Sequence, residues 1–104
     1  MSKKEKDNTD SIIQEIKNYR KQELENLKDS IREANELALL IDGHDNALAG
    51  WSTDGKAIYF IDDIIANLMH RDKMTYDEAI EFFYFNIAGS YLGDNTPIYM
   101  YDNR

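Results

Sequence analysis

Apolar residues in the first third of the chain recur with the period of an α-helix. From Ile16 onward they lie on one stripe at steps of about 3.6 residues, which predicts an amphipathic helix over residues 11–38. Ser11 and Gln14 have the spacing of a capping box at its start.

This predicted helix is too long for the rest of the protein to cover. It would measure about 42 Å, whereas residues 37–104 would form a body with a radius of gyration of about 11 Å. Part of the stripe is therefore expected to contact another surface, and a second copy of the helix is the simplest candidate. The candidate oligomerisation residues are Ile16, Tyr19, Leu24, Leu27 and Ile31.

The middle of the chain has the pattern of a β-hairpin. Asp54-Gly55 separates the apolar runs 47–51 and 56–61, and Asp-Gly between two such runs is a strong hairpin signal. A shorter apolar run, Leu39-Leu40-Ile41, precedes the turn-forming residues 42–46. We therefore predict two or three antiparallel strands between residues 39 and 60.

A helix is predicted directly after the hairpin. Asp62 is placed to cap it, and it would run to about Arg71. Its buried face would consist of Ile64, Ile65, Leu68 and Met69.

The next helix has the clearest start signal in the chain. Thr75 and Glu78 form a capping box, and the helix would continue through the aromatic residues until Gly89 or Gly93 ends it. A last strand is predicted over residues 98–101, entered through Pro97.

These elements predict an α+β fold in the order α-β-β-α-α-β, with a long N-terminal helix, a small antiparallel sheet and two packed helices. The predicted organisation is a disordered tail over residues 1–10, the amphipathic helix over 11–38 and a compact acidic domain over 39–104. The helix would serve as an assembly or docking element.

Charge is distributed unevenly between these parts. Residues 1–36 contain eight basic and nine acidic residues, a net charge of −1, while residues 37–104 contain four basic and eleven acidic residues, a net charge of −7. Such a balance argues against direct binding of nucleic acids or anionic membranes, because both need a basic surface. It suits a partner with a basic surface, or solubility alone.

Composition narrows the chemistry further. The chain has no cysteine, which excludes disulfides and thiolate metal sites. No apolar run approaches the roughly 20 residues that span a bilayer, and the charged start does not resemble a signal peptide. No catalytic motif stands out, so we predict neither enzymatic activity nor a cofactor.

One short segment could nevertheless carry metal or acid–base chemistry. Asp42, His44 and Asp45 place two carboxylates and an imidazole within four residues, which are ligand types for a divalent metal. The same residues, with Gly43 and Asn46 between and after them, are also a normal turn composition, and this is the simpler interpretation. His70 is expected to complement the dipole at a helix C-terminus.

Acidic and aromatic residues together suggest a binding surface. The candidate partner-binding residues are Asp62, Asp63, Asp77, Glu78, Glu81 and Tyr84. The successive aromatic residues 82–85 cannot all face one core, because neighbouring helix residues lie about 100° apart. At least one must therefore face another surface, while Asn86 among them is expected to bond a loop carbonyl near Pro97.

An ordered set of residues covers roughly the last half of the chain. It comprises Ala57-Ile58-Tyr59, Asp62, residues 68–79 and 83–86, Gly89, and residues 91–93 and 96–98. This signature resembles a family of small proteins common in phage genomes and prophages, with no established activity. The family usually has Gly where this chain has Lys73, and often a Cys near Ile64, which this chain lacks.

The resemblance implies a phage or prophage setting and a location in the cytoplasm of a bacterial host. Our main hypothesis is a small acidic protein that binds and inhibits a host protein, with a nucleic-acid-handling defence factor, of the CRISPR or restriction type, as the favoured target. Occlusion of a basic groove, by mimicry of nucleic acid, would be the mechanism. The alternative is a structural or regulatory homo-oligomer assembled through the helix at 11–38, and a small metal-dependent enzyme ranks third.

Overall fold

The computed structural model describes the backbone of residues 3–103 and the side chains of residues 9–103. The helices are α1 (Lys3–Ala34), α2 (Ile61–His70) and α3 (Tyr76–Phe82), and a π-helical segment (Phe83–Ala88) continues α3. The strands are β1 (Leu48–Trp51), β2 (Ala57–Phe60) and β3 (Ile98–Met100). The α+β fold and the order of its main elements are as predicted.

The three strands form a mixed sheet in the order β1-β2-β3. β1 and β2 are the predicted antiparallel hairpin, with Leu48 opposite Tyr59 and an irregularity in register before Gly50. β3 runs parallel to β2, with Tyr59 beside Tyr99, so the prediction of a purely antiparallel sheet was wrong. Two helices lie between β2 and β3, and a crossover of that length returns the chain in the same direction.

The bounds of α1 differ from the prediction at both ends. α1 begins at Lys3, so the structure places residues 3–10 in a helix where a disordered tail was predicted, and Ser11 lies inside it rather than at a cap. The Lys and Glu residues at the start of the chain favour helix, which explains the extension. α1 ends at Ala34, because the Asn35 side chain accepts a hydrogen bond from the backbone N–H of Leu37 at 3.0 Å and turns the chain.

Residues 39–41 do not form a third strand. The segment is irregular, Leu40 and Ile41 pack against the core, and the backbone N–H of Ile41 donates to the hydroxyl of Tyr59 at 2.8 Å. A side chain thus satisfies the backbone group that a strand partner would have satisfied.

Of the other two predicted caps, the one at Thr75 is confirmed and the one at Asp62 is wrong. The Thr75 hydroxyl accepts from the Glu78 backbone N–H at 3.2 Å, and a Glu78 carboxylate oxygen accepts from the Thr75 N–H at 2.9 Å. α2 instead begins with Phe60 as its N-cap and no side-chain cap, so Asp62 lies in the first helical turn. Since β2 leads directly into α2, no free residue is left for a cap before Ile61.

The core lies between the sheet and one face each of α1, α2 and α3. Its fully buried large side chains are Tyr59, Phe83, Ile31, Ile64 and Leu68. The centroid of the Tyr99 ring lies 5.3 Å from the centroid of the Phe83 ring and 6.4 Å from that of the Tyr59 ring. Aromatic contacts thus connect the sheet to the π-helical segment. Burial raises the pKa of Tyr99 to about 12.

Asn35 and Gly55 hold the end of α1 against the hairpin turn. Asn35 Nδ2 donates to the Gly55 carbonyl at 3.2 Å and to Asn95 Oδ1 at 2.8 Å, which connects α1, the hairpin and the loop before β3. A Cβ on Gly55 would lie 2.5 Å from Asn35 Cβ, and the φ of Gly55 is +82°. Both the turn and this contact therefore require glycine.

Lys73, between α2 and α3, has a φ of 61° and is the non-glycine residue with positive φ among the described residues. That conformation costs an L-residue about 1–2 kcal/mol, against the roughly 0.5–1 kcal/mol that glycine loses in unfolded-state entropy.

We expect Lys73→Gly to raise the free energy of unfolding by about 0.5–1 kcal/mol in urea denaturation. Lys73→Ala keeps the strained backbone and is the matched control, so an equal gain in both variants would contradict this explanation.

Candidate functional site

One face of α3 and the π-helical segment presents acidic and aromatic side chains together. Glu78, Glu81, Phe82 and Phe85 follow the spacing i, i+3, i+4, i+7, which places them along one side of a helix. With Met74 and Asn86 they line an open groove with a cavity volume of about 420 Å³. We call these six residues the acidic–aromatic groove.

The burial of Phe83 determines what this groove exposes. Phe83 is 0% exposed, so its neighbours in the sequence must point away from the core, and Phe85 is left 75% exposed. Phe82 and Tyr84 are also exposed, which confirms that residues 82–85 do not share one core. Single π-helical turns within helices are frequently found at functional sites.

Gly89 ends the π-helical segment, and its backbone lies close to the backbone of Tyr84. A Cβ at this position would lie 2.7 Å from the carbonyl oxygen of Tyr84, so the backbone can pass there only with glycine. This glycine is one of the two predicted helix ends.

Of the two acids that line the groove, Glu78 is held in place by hydrogen bonds and Glu81 is not. Hydrogen bonds from Thr75 fix the Glu78 carboxylate and lower its pKa, so it is ionised and oriented at neutral pH. Glu81 and Asp77 are exposed near it. Residues 76–88 include three acids and no basic residue, which gives this face a negative potential.

The structure does not gather all predicted partner-binding residues at one place. Asp62 is exposed at the start of α2, near Tyr101. The hydroxyls of Tyr84 and Tyr101 are in direct contact, and this hydrogen bond raises the pKa of Tyr101, with a smaller contribution from Asp62. Asp63 is only partly exposed. The predicted set therefore divides between the groove and a Tyr84–Tyr101 pair beside Asp62.

The sequence analysis missed several members of this surface and misplaced one. Met74, Phe82 and Phe85 line the groove, and Tyr101 bonds Tyr84. At least one of residues 82–85 was expected to face another surface, but Tyr84 was the one named as a candidate. The i, i+3, i+4, i+7 spacing from Glu78 is the signal that would have found the two Phe residues. Asn86 was expected to bond a loop carbonyl near Pro97, but its side chain is exposed on the groove.

The candidate residues on α1 lie in two different environments. Ile31 is 0% exposed in the core, and Leu24 and Leu27 pack against it, so these three stabilise the fold within one chain. Ile16 and Tyr19 are exposed beyond the body, as are Ile12 and Ile13. The first half of the predicted stripe is therefore the part that the body leaves exposed.

The segment of Asp42, His44 and Asp45 is a structural junction. Asp45 accepts a charged hydrogen bond from Lys28 at 2.6 Å, which ties the turn to α1. His44 is buried with its Nδ1 3.1 Å from Asn67 Nδ2, which ties it to α2. Among the side chains that the structure describes, no group of three or more His, Asp or Glu could hold a metal ion.

No helix in the part of the chain that the structure describes is both long enough and apolar enough to cross a membrane. His70 is exposed in the last turn of α2, where a basic group complements the helix dipole as expected.

The environment of His44 predicts a pH dependence of stability. Burial, and then the Arg71 guanidinium, lower the pKa of His44 from 6.5, partly opposed by Asp72. Since Asn67 Nδ2 can only donate, neutral Nδ1 accepts, and protonation would break this bond. The stabilisation is complete above the unfolded pKa of about 6.5 and is lost as pH falls towards the lower folded pKa.

We therefore expect the free energy of unfolding, from urea denaturation, to fall between pH 7.5 and 5. In His44→Gln this fall should be flattened, while His70→Gln, at the exposed histidine, should keep it. The carboxylates with lowered pKa, Asp54 and Glu78, start from 3.8 and 4.5 and act below this range. An unchanged slope in His44→Gln would contradict the assignment.

Comparison of the chain with protein-family models, with curated proteins and with solved structures gave no match. The resemblance to the phage family stays a prediction, and the proposed function rests on the geometry of the surface.

Proposed function

We propose that this protein is a binding protein whose acidic–aromatic groove docks onto a basic surface of a partner protein and occludes it. The observation that carries the proposal is the placement of Glu78 and Glu81 beside the exposed rings of Phe82 and Phe85 in one groove. Exposed aromatic residues surrounded by polar groups are typical anchors of protein interfaces.

The chemistry of the groove favours a segment rich in Lys or Arg. The aliphatic stem of either side chain can lie on the Phe rings and Met74 while the cationic head reaches a carboxylate. Glu78 is already oriented by its capping box, so less side-chain entropy is lost when it pairs. A cavity of about 420 Å³ has room for one or two such side chains.

The resemblance found in the sequence supports a more specific target. A phage-type protein with this surface would act on a bacterial host protein, and a nucleic-acid-handling defence factor offers the basic groove that such a surface complements. The mechanism is occlusion, because a bound acidic face excludes phosphates from the same basic residues. No observation on Asp42, His44 or Asp45 favours the metal-dependent enzyme.

A cationic peptide tests the groove without knowledge of the natural partner. Labelled protein titrated with a short peptide containing Arg, Lys and one Leu should show NMR shifts concentrated at residues 74–86. The affinity should weaken as salt is raised, because the ion pairs are exposed.

Charge-matched variants separate this site from the general negative charge of the protein. Glu81→Lys should weaken peptide binding about tenfold, and Phe85→Ala by a similar factor without any change in charge. Glu36→Lys, at an exposed acid just beyond α1, changes the net charge equally and should stay within about twofold of the wild type. Equal losses in Glu81→Lys and Glu36→Lys would refute the groove as the binding site.

A further inference from the structure

We propose that two copies of this chain associate in parallel through the N-terminal half of α1, with Ile12, Ile16 and Tyr19 as the seam. This inference does not depend on the proposed function, because the seam and the acidic–aromatic groove share no residue.

The seam residues have no cover within one chain. Ile12 is 57% exposed, Ile16 is 47% exposed and Tyr19 is 65% exposed. Their spacings of four and three residues match the d, a and d positions of a heptad, so the three side chains form one stripe. Three large apolar side chains on one short stripe are typical of an interface rather than of a solvated helix.

The body leaves room for a second helix along the same face. The next two positions of the heptad, Glu23 and Asn26, are exposed beside the body as well. The body contacts α1 through Leu24, Leu27 and Ile31, which lie further along the helix than the three seam residues. A second copy can therefore approach the seam without displacing the core.

Charge on either side of the seam selects the parallel orientation. Glu15 directly precedes Ile16 and Arg20 directly follows Tyr19, which are the g and e positions of the heptad. In a parallel pair, Glu15 of each copy faces Arg20 of the other, which gives two symmetric ion pairs. In an antiparallel pair centred on Ile16, Glu15 would instead face Glu15 of the second copy.

Glu23 limits the length of the seam. It occupies the next a position and accepts a hydrogen bond from the Tyr19 hydroxyl at 2.8 Å. Two such carboxylates facing each other repel, so the dimer is confined to the first half of α1 and dissociates on dilution.

Cysteine cross-linking tests the seam directly, because the chain has no cysteine of its own. In the full-length protein, Ile16→Cys should form a disulfide-linked dimer under mild oxidation, since facing a positions come within disulfide distance. Lys21→Cys, on the opposite side of α1, is the matched control and should remain monomeric. Cross-linking of Lys21→Cys as readily as Ile16→Cys, or none of Ile16→Cys, would overturn the proposal.

Sedimentation equilibrium tests whether the two helices are parallel. It also measures dimerisation without a cross-link, because a disulfide can trap two copies that meet only rarely. Glu15→Arg and Arg20→Glu should each weaken dimerisation several-fold, and the double variant should restore it, which an antiparallel pair would not do. Glu23→Leu should tighten the dimer more than tenfold by extending the seam. A wild-type monomer at all concentrations, unchanged by Glu23→Leu, would overturn the proposal and leave the stripe as a docking face for a different protein.

Discussion

The burial of Phe83 against Tyr99 is the contact on which the functional surface depends. It fixes the rotation of the π-helical segment about its axis, because Phe83 has no exposed fraction and its ring packs on the sheet. Phe82 and Phe85 are consequently directed outward beside the two glutamates of α3. Gly89 allows the chain to turn back immediately afterwards towards β3. The surface is thus a product of core packing rather than of local helix propensity.

The core is small, and this explains why apolar side chains stay exposed on two separate surfaces, the groove and the first half of α1. The buried cluster includes a single residue of α1, Ile31, although the helix has 32 residues. The helix therefore extends well beyond the body, and its first half keeps an uncovered stripe. The groove and this stripe lie on different elements, so binding of a partner and association of two copies do not compete for the same residues. A parallel dimer would present two acidic–aromatic grooves from one assembly and raise their combined avidity.

Local sequence signals predicted most of the elements, although two local cap predictions, at Ser11 and Asp62, were wrong. The hairpin at Asp54-Gly55 and the capping box of Thr75 and Glu78 depend on residues within a few positions, and both are present. The direction of β3 depends on how two helices cross the sheet, which no local pattern records. The exposure of Phe85 and Asn86 likewise depends on which neighbouring residue is buried in the core, and this residue is Phe83. The two acids that line the groove, Glu78 and Glu81, were therefore among the predicted residues, whereas its aromatic members, Phe82 and Phe85, were not named.

Site-specific photo-cross-linking is the most direct measurement of the central claim that the groove binds a basic partner. A photoreactive phenylalanine analogue would replace Phe85 in the groove or, as a control, Tyr91, which is equally exposed on the loop before β3. We expect position 85 to capture a discrete bacterial protein with a basic surface and position 91 not to do so. Glu81→Lys should abolish the capture. Equal capture at both positions, or capture at position 85 that Glu81→Lys leaves unchanged, would contradict the claim.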